Sequence, residues 1–570
     1  MLVRRPRLLE RLHAGSAAPV TLVSAPAGWG KTVLLAEWYQ DRADDRRPDW
    51  LDAGAPAAGC PFPSGGIPAP VGRPLVRELA DVLADRPEPV TVVLDDLHRI
   101  TDRDTLDGLD FLLRHSDGRL RLVVGCRRDP ALALHRWRLA DALTELRAED
   151  LAFTVDETAE LLRAHGVVLD PDRVAELCAR TGGWPVGLRL AALALRDHPD
   201  PARFVRGYGG DHPDVAEYLR REVLDGLPDD LWDLLRRTAV EPIPAPPAGT
   251  ASVLTGPGGA VPGGAVPAAG ADTGRVGDGR RGDTGPTIPA GLVDALTDRR
   301  DGESALAALE RDTGFLTMVQ SRPPVSRCHR MLAELLRAEL RRRPQEELAD
   351  LHRRAAGWHA ANGLPARALR HALAAGQWRE ATQILVEHWS ALIPVGPVPP
   401  AVAEPDGDVR PPPDEAFRAV PGLALAWAAD RLHAGDPAGA ERSLRAARQY
   451  ERPSTSGPTT PRSTVVTTAL WLLHAQLRDE PAAVLRAADR LIALSGSTAA
   501  GAPEGDPDRR AARAGGHAAR GAVRRAGRRL DPTDLAAAAD DLDRGRAYAE
   551  SVGLPGVALA CTARLALVAA

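Results

Sequence analysis

Short runs of β-branched and aliphatic residues alternate with helix-length apolar stretches in the first third of the chain. Val20–Ser24 precedes a loop of small residues, Ala25–Thr32, and then the apolar stretch Val33–Trp38. Val90–Leu94 and Leu120–Cys126 are continuous apolar runs, which are typical of buried parallel strands whose carboxyl ends face a ligand crevice. The pattern predicts an α/β domain built on a parallel sheet.

Helical patterns recur in the second half of the chain. Apolar stretches of helix length in Leu348–Leu392 are separated by small-residue stops at Ala361–Pro365 and Ala374–Trp378, and a similar stop recurs at Ala434–Pro437. Paired helices of about 34 residues per repeat, with Ala and Gly at the close contacts, are typical of TPR-like solenoids. A plain helical bundle is the alternative.

Several stretches have the composition of loops rather than of packed elements. Pro and Gly dominate Pro244–Gly270, which indicates a disordered insertion, and they recur in Pro394–Pro413 and Pro453–Pro461, which we interpret as linkers. Arg509–Arg529 is dense in arginine but carries no aromatic side chains on which bases could stack. It is interpreted as a solvated loop rather than a nucleic-acid tract.

The composition limits the class of protein. A chain of 570 residues predicts several domains, and a net charge of −5 excludes a global basic field that would attract nucleic acid or membrane. The five cysteines form no C-x-x-C pair, which favours a reducing cytoplasm over a zinc or disulfide framework. No apolar run approaches the roughly 18 residues of a membrane helix. We therefore expect a soluble, cytoplasmic protein.

The loop between the first strand and helix resembles a phosphate-binding P-loop. Lys31 is the only lysine among 72 lysine and arginine residues, and Lys31-Thr32 ends a G-x-x-x-x-G-K-[ST]-type pattern in which Ala25 replaces the first glycine. Lys31 is predicted to reach the β- and γ-phosphates, and Thr32 to ligate Mg²⁺. The remaining predicted nucleotide contacts are Pro26, Ala27, Gly28, Trp29, Gly30 and Val33. An ordinary strand-turn-helix is the alternative.

Charged side chains follow the other two predicted strands. Asp95 and Asp96 come directly after Leu94, and Arg127 follows Cys126. Asp95 is predicted to hold Mg²⁺, and Asp96 to orient or deprotonate the attacking water as the catalytic residue. Arg127 can reach the γ-phosphate from its strand end. Without the P-loop the two aspartates would be read as a turn or helix cap, and in so arginine-rich a chain the position of Arg127 alone does not decide its role.

These motifs resemble the large ATP-binding LuxR-type transcriptional regulators, which are maltose-regulon-activator-like P-loop NTPases of the STAND class. Seven segments occur in the order typical of that family: Ser24–Thr32, Leu94–His98, Arg127–Pro130, Leu143–Thr154, Thr181–Ala191, Tyr218–Leu224 and Leu351–Trp358. The resemblance implies a multidomain α/β plus α protein. Its expected parts are a P-loop NTPase domain (1–152), a helical lid (153–202), a winged-helix-like module (203–343, with the disordered insertion at about 244–288) and a TPR-like sensor (344–570, with linkers at about 394–413 and 453–461).

The resemblance also assigns two residues far from the P-loop. Pro185, in Gly183-Trp184-Pro185, would pack near the nucleotide, although a proline that merely starts a helix would also explain it. His329 matches the winged-helix histidine that contacts a bound diphosphate, but a lone histidine is ordinarily a surface or core residue. The Pro/Gly-rich sequence between Asp52 and Leu75 departs from the family pattern. We expect part of the sheet edge to be reduced there, so the prediction of ATP hydrolysis has less support than the prediction of ATP binding.

The expected function is that of an ATP-dependent signalling switch, inactive with ADP and active with ATP, Mg²⁺ and an inducer. A small molecule or protein inducer would bind the repeats, and the ATP-bound form would self-associate. The sequence has no recognisable C-terminal helix-turn-helix, so DNA is expected to be reached only through a missing domain or a partner. The chain is expected to be at most a slow ATPase. The alternatives are a constitutive ATPase and an interaction scaffold with a vestigial nucleotide site.

Overall fold

The computed structural model describes residues 3–41, 49–52, 73–243, 285–392, 409–450, 461–496, 507–525 and 532–569. The chain divides into two compact units: 1–254, 277–294 and 299–339 form the first, and 255–276, 295–298 and 340–570 form the second. Most of the predicted insertion at 244–288, and most of the predicted linkers at 394–413 and 453–461, lie outside the described residues.

A five-stranded parallel sheet is the centre of the first unit, and the apolar runs predicted the parallel sheet and three of its strands. Its strands are β1 Val20–Ser24, β2 Asp49–Asp52, β3 Val90–Asp95, β4 Leu120–Cys126 and β5 Leu143–Arg147. The accompanying helices are α1 Pro6–Gly15, α2 Lys31–Asp41, α3 Arg73–Ala84, α4 Arg103–His115, α5 Leu134–Leu139 and α6 Ala148–Leu151. Every residue of β1 is buried, in keeping with its continuous apolar sequence.

The strand order is β2-β3-β4-β1-β5, so β4 lies between the strand that leads into the P-loop and the strand that ends at Asp95. Adjacent strands are about 4.8 Å apart, which separates the ends of β1 and β3 by roughly 10 Å. The sheet edge that was expected to be reduced retains β2, which pairs with β3 over four residues. Residues 53–72 lie outside the described chain.

Six helices follow the sheet. They are α7 Val155–Ala164, α8 Pro171–Thr181, α9 Pro185–Leu195, α10 Pro201–Gly207, α11 Pro213–Glu222 and α12 Asp229–Thr238. Their starts follow from local sequence: Thr154 and Glu157 form a capping box at α7, with N–H to oxygen distances of 3.1 and 3.0 Å. Proline occupies the first position of α8, α9, α10 and α11, where the missing N–H is tolerated.

A small antiparallel sheet with three helices completes the first unit. Its elements are β6 Thr287–Pro289, α13 Ala290–Thr297, α14 Gly302–Thr313, β7 Leu316–Ser321, β8 Pro324–Cys328 and α15 Arg330–Leu340, with strand order β6-β8-β7. The predicted insertion therefore ends too late. Thr287 and Ile288 belong to β6, because Ile288 is apolar, buried and paired with Ser326.

The described part of the second unit that follows α15 is helical, as expected. Its helices are α16 Gln345–Ala361, α17 Pro365–Ala374, α18 Trp378–Leu392, α19 Asp414–Ala419, α20 Leu423–His433, α21 Pro437–Tyr450, α22 Pro461–Leu477, α23 Pro481–Gly496, α24 Pro507–Arg525, α25 Pro532–Ser551 and α26 Pro555–Ala569. Gly363, Gly376 and Gly435 follow helix ends with positive φ, which is how the small-residue stops operate. None of the helices in the described ranges is long and apolar enough to cross a membrane.

The interpretation of Arg509–Arg529 as a solvated loop was wrong, since most of it lies in α24. The alanines and glycines among its arginines form a buried face. Arg520 donates to Asp541 of α25, with Nε to Oδ2 at 2.9 Å, and to Asp489 of α23 at 2.9 Å. Arg520 thus pairs with acidic groups of two neighbouring helices, which composition alone does not reveal.

The helices α23 to α26 pack so closely that three glycines are required between them. A Cβ at Gly516 would lie 3.0 Å from the carbonyl oxygen of Ala488, and one at Gly521 would lie 3.1 Å from that of Ala538. A Cβ at Gly545 would lie 3.0 Å from the backbone nitrogen of Ala518. Backbone therefore lies against backbone at these points.

Candidate nucleotide-binding site

The P-loop, Ala25–Thr32, connects β1 to α2 and has the backbone that phosphate binding requires. Gly28 and Gly30 have φ of 78° and 74°, a left-handed conformation that residues with a Cβ rarely adopt. Ala25 donates its N–H to the carbonyl of Cys126 at 3.2 Å, which fixes the start of the loop against β4. The loop runs directly into the N-terminus of α2, whose first N–H groups favour an anion.

Lys31 is buried, with 7% of its surface exposed, and its Nζ donates to the carbonyl oxygen of Pro26 at 2.9 Å. Its pKa is lowered to about 8, mainly by burial and also by the nearby positive charge of Arg127, against the opposing effect of Asp95 and Asp96. An anionic ligand would stabilise the protonated ammonium. Thr32 and Val33, the next two residues of α2, are exposed.

Asp95 ends β3 at the same edge of the sheet and is buried, with 3% exposure. Its Oδ1 accepts the N–H of Asp96 at 3.0 Å. A Cβ at Gly125 of β4 would lie only 2.3 Å from that oxygen, so the carboxylate occupies space that this glycine leaves open. Thr32 and Asp95 offer hydroxyl and carboxylate oxygens, which are the ligands that Mg²⁺ prefers.

Asp96 follows in a left-handed conformation with φ of 54°, which changes the direction of the chain at the end of the strand. His98 Nδ1 lies 3.7 Å from Asp96 Oδ1. Burial lowers the pKa of His98 to about 4, outweighing the nearby carboxylate, so the imidazole is neutral at pH 7. It therefore does not neutralise the charge of Asp96.

Arg127 leaves the end of β4, as predicted, but its guanidinium contacts protein. Nη1 donates to the backbone carbonyl of Glu222 at 3.1 Å, and Nη2 donates to Glu222 Oε2 at 3.2 Å. The N–H of Arg127 lies 3.4 Å from Nδ1 of His98. Arg127 is thus at the same sheet edge as Asp96 and is held by the last residue of α11.

The helices after the sheet reach the P-loop through the segment around Pro185. Trp184 donates its Nε1–H to the carbonyl of Ala27 at 3.3 Å, and Val186 donates its N–H to that of Gly28 at 3.2 Å. Pro185, the first residue of α9, lies between these two contacts. The resemblance to the family had placed this proline near the nucleotide.

His329 brings the antiparallel-sheet module to the same loop. It is buried, with 5% exposure, and its ring centroid lies 6.0 Å from Trp29, 6.1 Å from Trp184 and 5.1 Å from Phe315. Neither ring nitrogen has a hydrogen-bond partner within the described residues. A buried imidazole without partners is costly, and a ligand oxygen beside Trp29 would satisfy it.

Two features near the P-loop were not found from the sequence. Arg5 is buried and donates to the carbonyl of Leu151 at 3.0 Å and to that of Gly30 at 3.5 Å. Ser24 donates to Asp129 Oδ1 at 3.1 Å, and Arg147 donates to the same carboxylate. The first contact joins Arg5 to Leu151, 146 positions later, for which the sequence gives no local signal. The second contact joins residues far apart in sequence.

Comparison with known proteins identifies proteins to which the chain is similar. Residues 286–348 match the MalT winged helix domain. The HTH-type transcriptional regulator MalT of Cronobacter sakazakii is 27% identical over 410 residues, which are 68% of this chain and 40% of that protein. The chain is a MalT-like P-loop NTPase. The resemblance seen in the sequence is thereby confirmed.

The MalT-like chain is also similar to the serine/threonine-protein kinase PknK of Mycobacterium tuberculosis, with 30% identity over 410 residues, 67% of this chain and 33% of the kinase. The matched part of the MalT-like chain thus spans a third to two fifths of the length of these relatives. A STAND protein with a tetratricopeptide repeat sensor from Pyrococcus horikoshii matches at a TM-score of 0.27, with 14% identity, 100% coverage of this chain and 80% of that one. A Walker-type ATPase of Pyrococcus abyssi matches at 0.36, with 15% identity and coverage of 59% and 96%.

Proposed function

We propose that the chain is an ATP-dependent signal-transducing regulator. In this proposal ADP holds a closed, inactive form, and ATP together with an inducer at the helical repeats favours an open, self-associating form. The inducer is a small molecule or a protein. Contact with DNA is assigned to a further domain or to a partner.

The observation that carries the proposal is the convergence of three modules on one loop. Trp184 and Val186 bond to the P-loop from the helices that follow the sheet. His329 packs edge-on against Trp29 from the antiparallel-sheet module. A ligand that contacts the P-loop and His329 together would stabilise this closed arrangement, because it would bind that arrangement better than one in which the modules separate.

The residues present fit a nucleotide and a divalent cation. The buried ammonium of Lys31 and the N-terminus of α2 suit phosphates, and His329 offers two ring nitrogens that lack partners among the described residues. Thr32 and Asp95 would hold Mg²⁺, which would offset the charge of the phosphates. Asp96 is proposed to orient or deprotonate the water in a slow hydrolysis.

A nucleotide titration of the full chain tests the proposal. Fluorescent ADP and ATP should bind the wild type in the presence of Mg²⁺, and Lys31→Ala should weaken both by about 10- to 150-fold, the equivalent of one charge-assisted hydrogen bond. Gln40→Ala, an exposed change on the same helix α2, is the matched control and should bind normally. A wild type without affinity for either nucleotide would overturn the proposal.

A second measurement separates a switch from a constitutive ATPase. His329→Ala should weaken binding of ADP more than binding of ATP, because the proposed contact with the closed form is lost. Light scattering should show larger assemblies with ATP and inducer than with ADP. Fast steady-state hydrolysis without inducer would favour the constitutive enzyme instead.

A further inference from the structure

Helix α11 carries most of one of the family-like segments, Tyr218–Leu224, to which the proposed function gives no role. The helix ends at Glu222, and this residue supplies both oxygens that accept from the Arg127 guanidinium, at 3.1 and 3.2 Å. One of the two acceptors is a carboxylate. A γ-phosphate would offer the same guanidinium anionic oxygens of similar geometry.

Arg127 lies where a γ-phosphate could compete for it. It follows β4, the strand that borders both the P-loop strand β1 and the Asp95 strand β3. Its backbone N–H lies 3.4 Å from His98, the neighbour of Asp96, and its charge acts on Lys31 strongly enough to lower the pKa of that lysine. The guanidinium therefore belongs to the electrostatic environment of the phosphate site.

We propose that Glu222 is a specificity-determining residue that makes the site prefer a nucleoside diphosphate over a triphosphate by occupying Arg127. This inference rests on the proposed binding of nucleotide at the P-loop. A diphosphate leaves the Arg127–Glu222 pair intact. A triphosphate must displace the Glu222 carboxylate before its γ-phosphate can reach Arg127, and its apparent affinity is lower by the strength of that pair.

The same helix connects this competition to the rest of the closed arrangement. Tyr218 packs edge-on against Trp184, with ring centroids 5.6 Å apart. Arg220 donates to Glu339 of α15 at 3.0 Å. Release of Glu222 thus loosens the helix that contacts both Trp184 and the antiparallel-sheet module. By displacing Glu222, a γ-phosphate would therefore weaken the contacts that hold the closed arrangement together.

The test compares Glu222→Gln with wild type in binding of Mg-ATP and Mg-ADP to the full chain by titration calorimetry. The amide keeps the shape and the backbone acceptor but removes the charge. Because both side chains are partly exposed, the ratio of ATP to ADP affinity should rise by about two- to fivefold, through ATP alone. The gain should shrink between 50 mM and 500 mM salt.

Glu217→Gln is the matched control, since Glu217 lies on the same helix and pairs only with Arg221 among the contacts described for it. It should leave the ratio unchanged. In Arg127→Gln the change Glu222→Gln should have no further effect, because the competing partner is gone. Removing a carboxylate from the C-terminal end of a helix is favourable to the helix dipole, so the variant should fold.

Two results would overturn the inference, and they differ. If the wild type binds both nucleotides and Glu222→Gln leaves the ratio unchanged, Glu222 has no role in selectivity although the nucleotide site stands. If the wild type binds neither nucleotide, the proposed function and this inference both fail.

Discussion

Gly28→Ala tests whether the P-loop packs directly against the start of α9. Gly28 has φ of 78°, and a Cβ there would lie 2.9 Å from Trp184 Nε1, 2.9 Å from Val186 Cγ2 and 3.0 Å from Tyr218 Oη. Gly166 offers a matched control, because it has φ of 77° but no atom within 4 Å of its would-be Cβ. The two substitutions share the backbone strain and differ only in the neighbours they meet.

The magnitudes follow from these distances. A left-handed alanine costs roughly 1–2 kcal/mol at either position. Crowding of a packed interface typically adds about 1–3 kcal/mol, and only Gly28→Ala incurs it. The difference corresponds to a factor of about 5–150 in the opening equilibrium between the P-loop and α9.

Hydrogen exchange on the full chain measures that factor. The amide of Val186 donates to the carbonyl of Gly28, so its exchange reports separation of α9 from the P-loop. Exchange at the start of α9 should be about 5–150 times faster in Gly28→Ala than in Gly166→Ala. Equal exchange rates in the two variants would refute the described contact.

Three further predictions follow. Because the pKa of Lys31 is lowered to about 8, ADP affinity should fall as pH rises through 8, and calorimetry in buffers of different ionisation enthalpy should detect proton uptake on binding. Gly210→Ala, whose Cβ would overlap a main-chain oxygen at 1.6 Å, should lower unfolding free energy by about 3 kcal/mol or more in urea titrations, whereas Gly207→Ala, with open space, should change it by less than about 0.5 kcal/mol. The hydrogen bond from Arg138 lowers the pKa of Glu145 to about 2. The stability that the ionised Glu145 contributes is therefore present above pH 4.5 and is lost as pH falls from about 4.5 to about 2. In Glu145→Gln the midpoint of urea unfolding should depend less on pH between these two values.

The P-loop and its sheet could be predicted because their signals are local. The run Val20–Ser24, the small-residue loop and the sole lysine occur within one short stretch, and chemistry restricts each of them. Asp95 and Arg127 were predicted from the rule that parallel strands end at one edge. These assignments needed no knowledge of distant residues.

The partners of those residues could not be predicted, because they depend on long-range packing. Glu222 lies 95 positions after Arg127, and no periodicity links them. The position of His329 came from family resemblance alone, since an isolated histidine gives no local signal. The Arg509–Arg529 segment was misread for a related reason: Arg520 and Arg524 pair with acidic groups on other helices, which the sequence of the segment does not show.

The glycines of α24 and α25 affect how a disturbance would travel through α23 to α26. Helices separated by long side chains can slide past each other while those side chains change rotamer. Here Gly516 and Gly521 bring main chain against main chain, so little compliance remains between the helices. A tilt of one of these helices should therefore be transmitted almost fully to the next, so we expect α23 to α26 to move as a rigid unit.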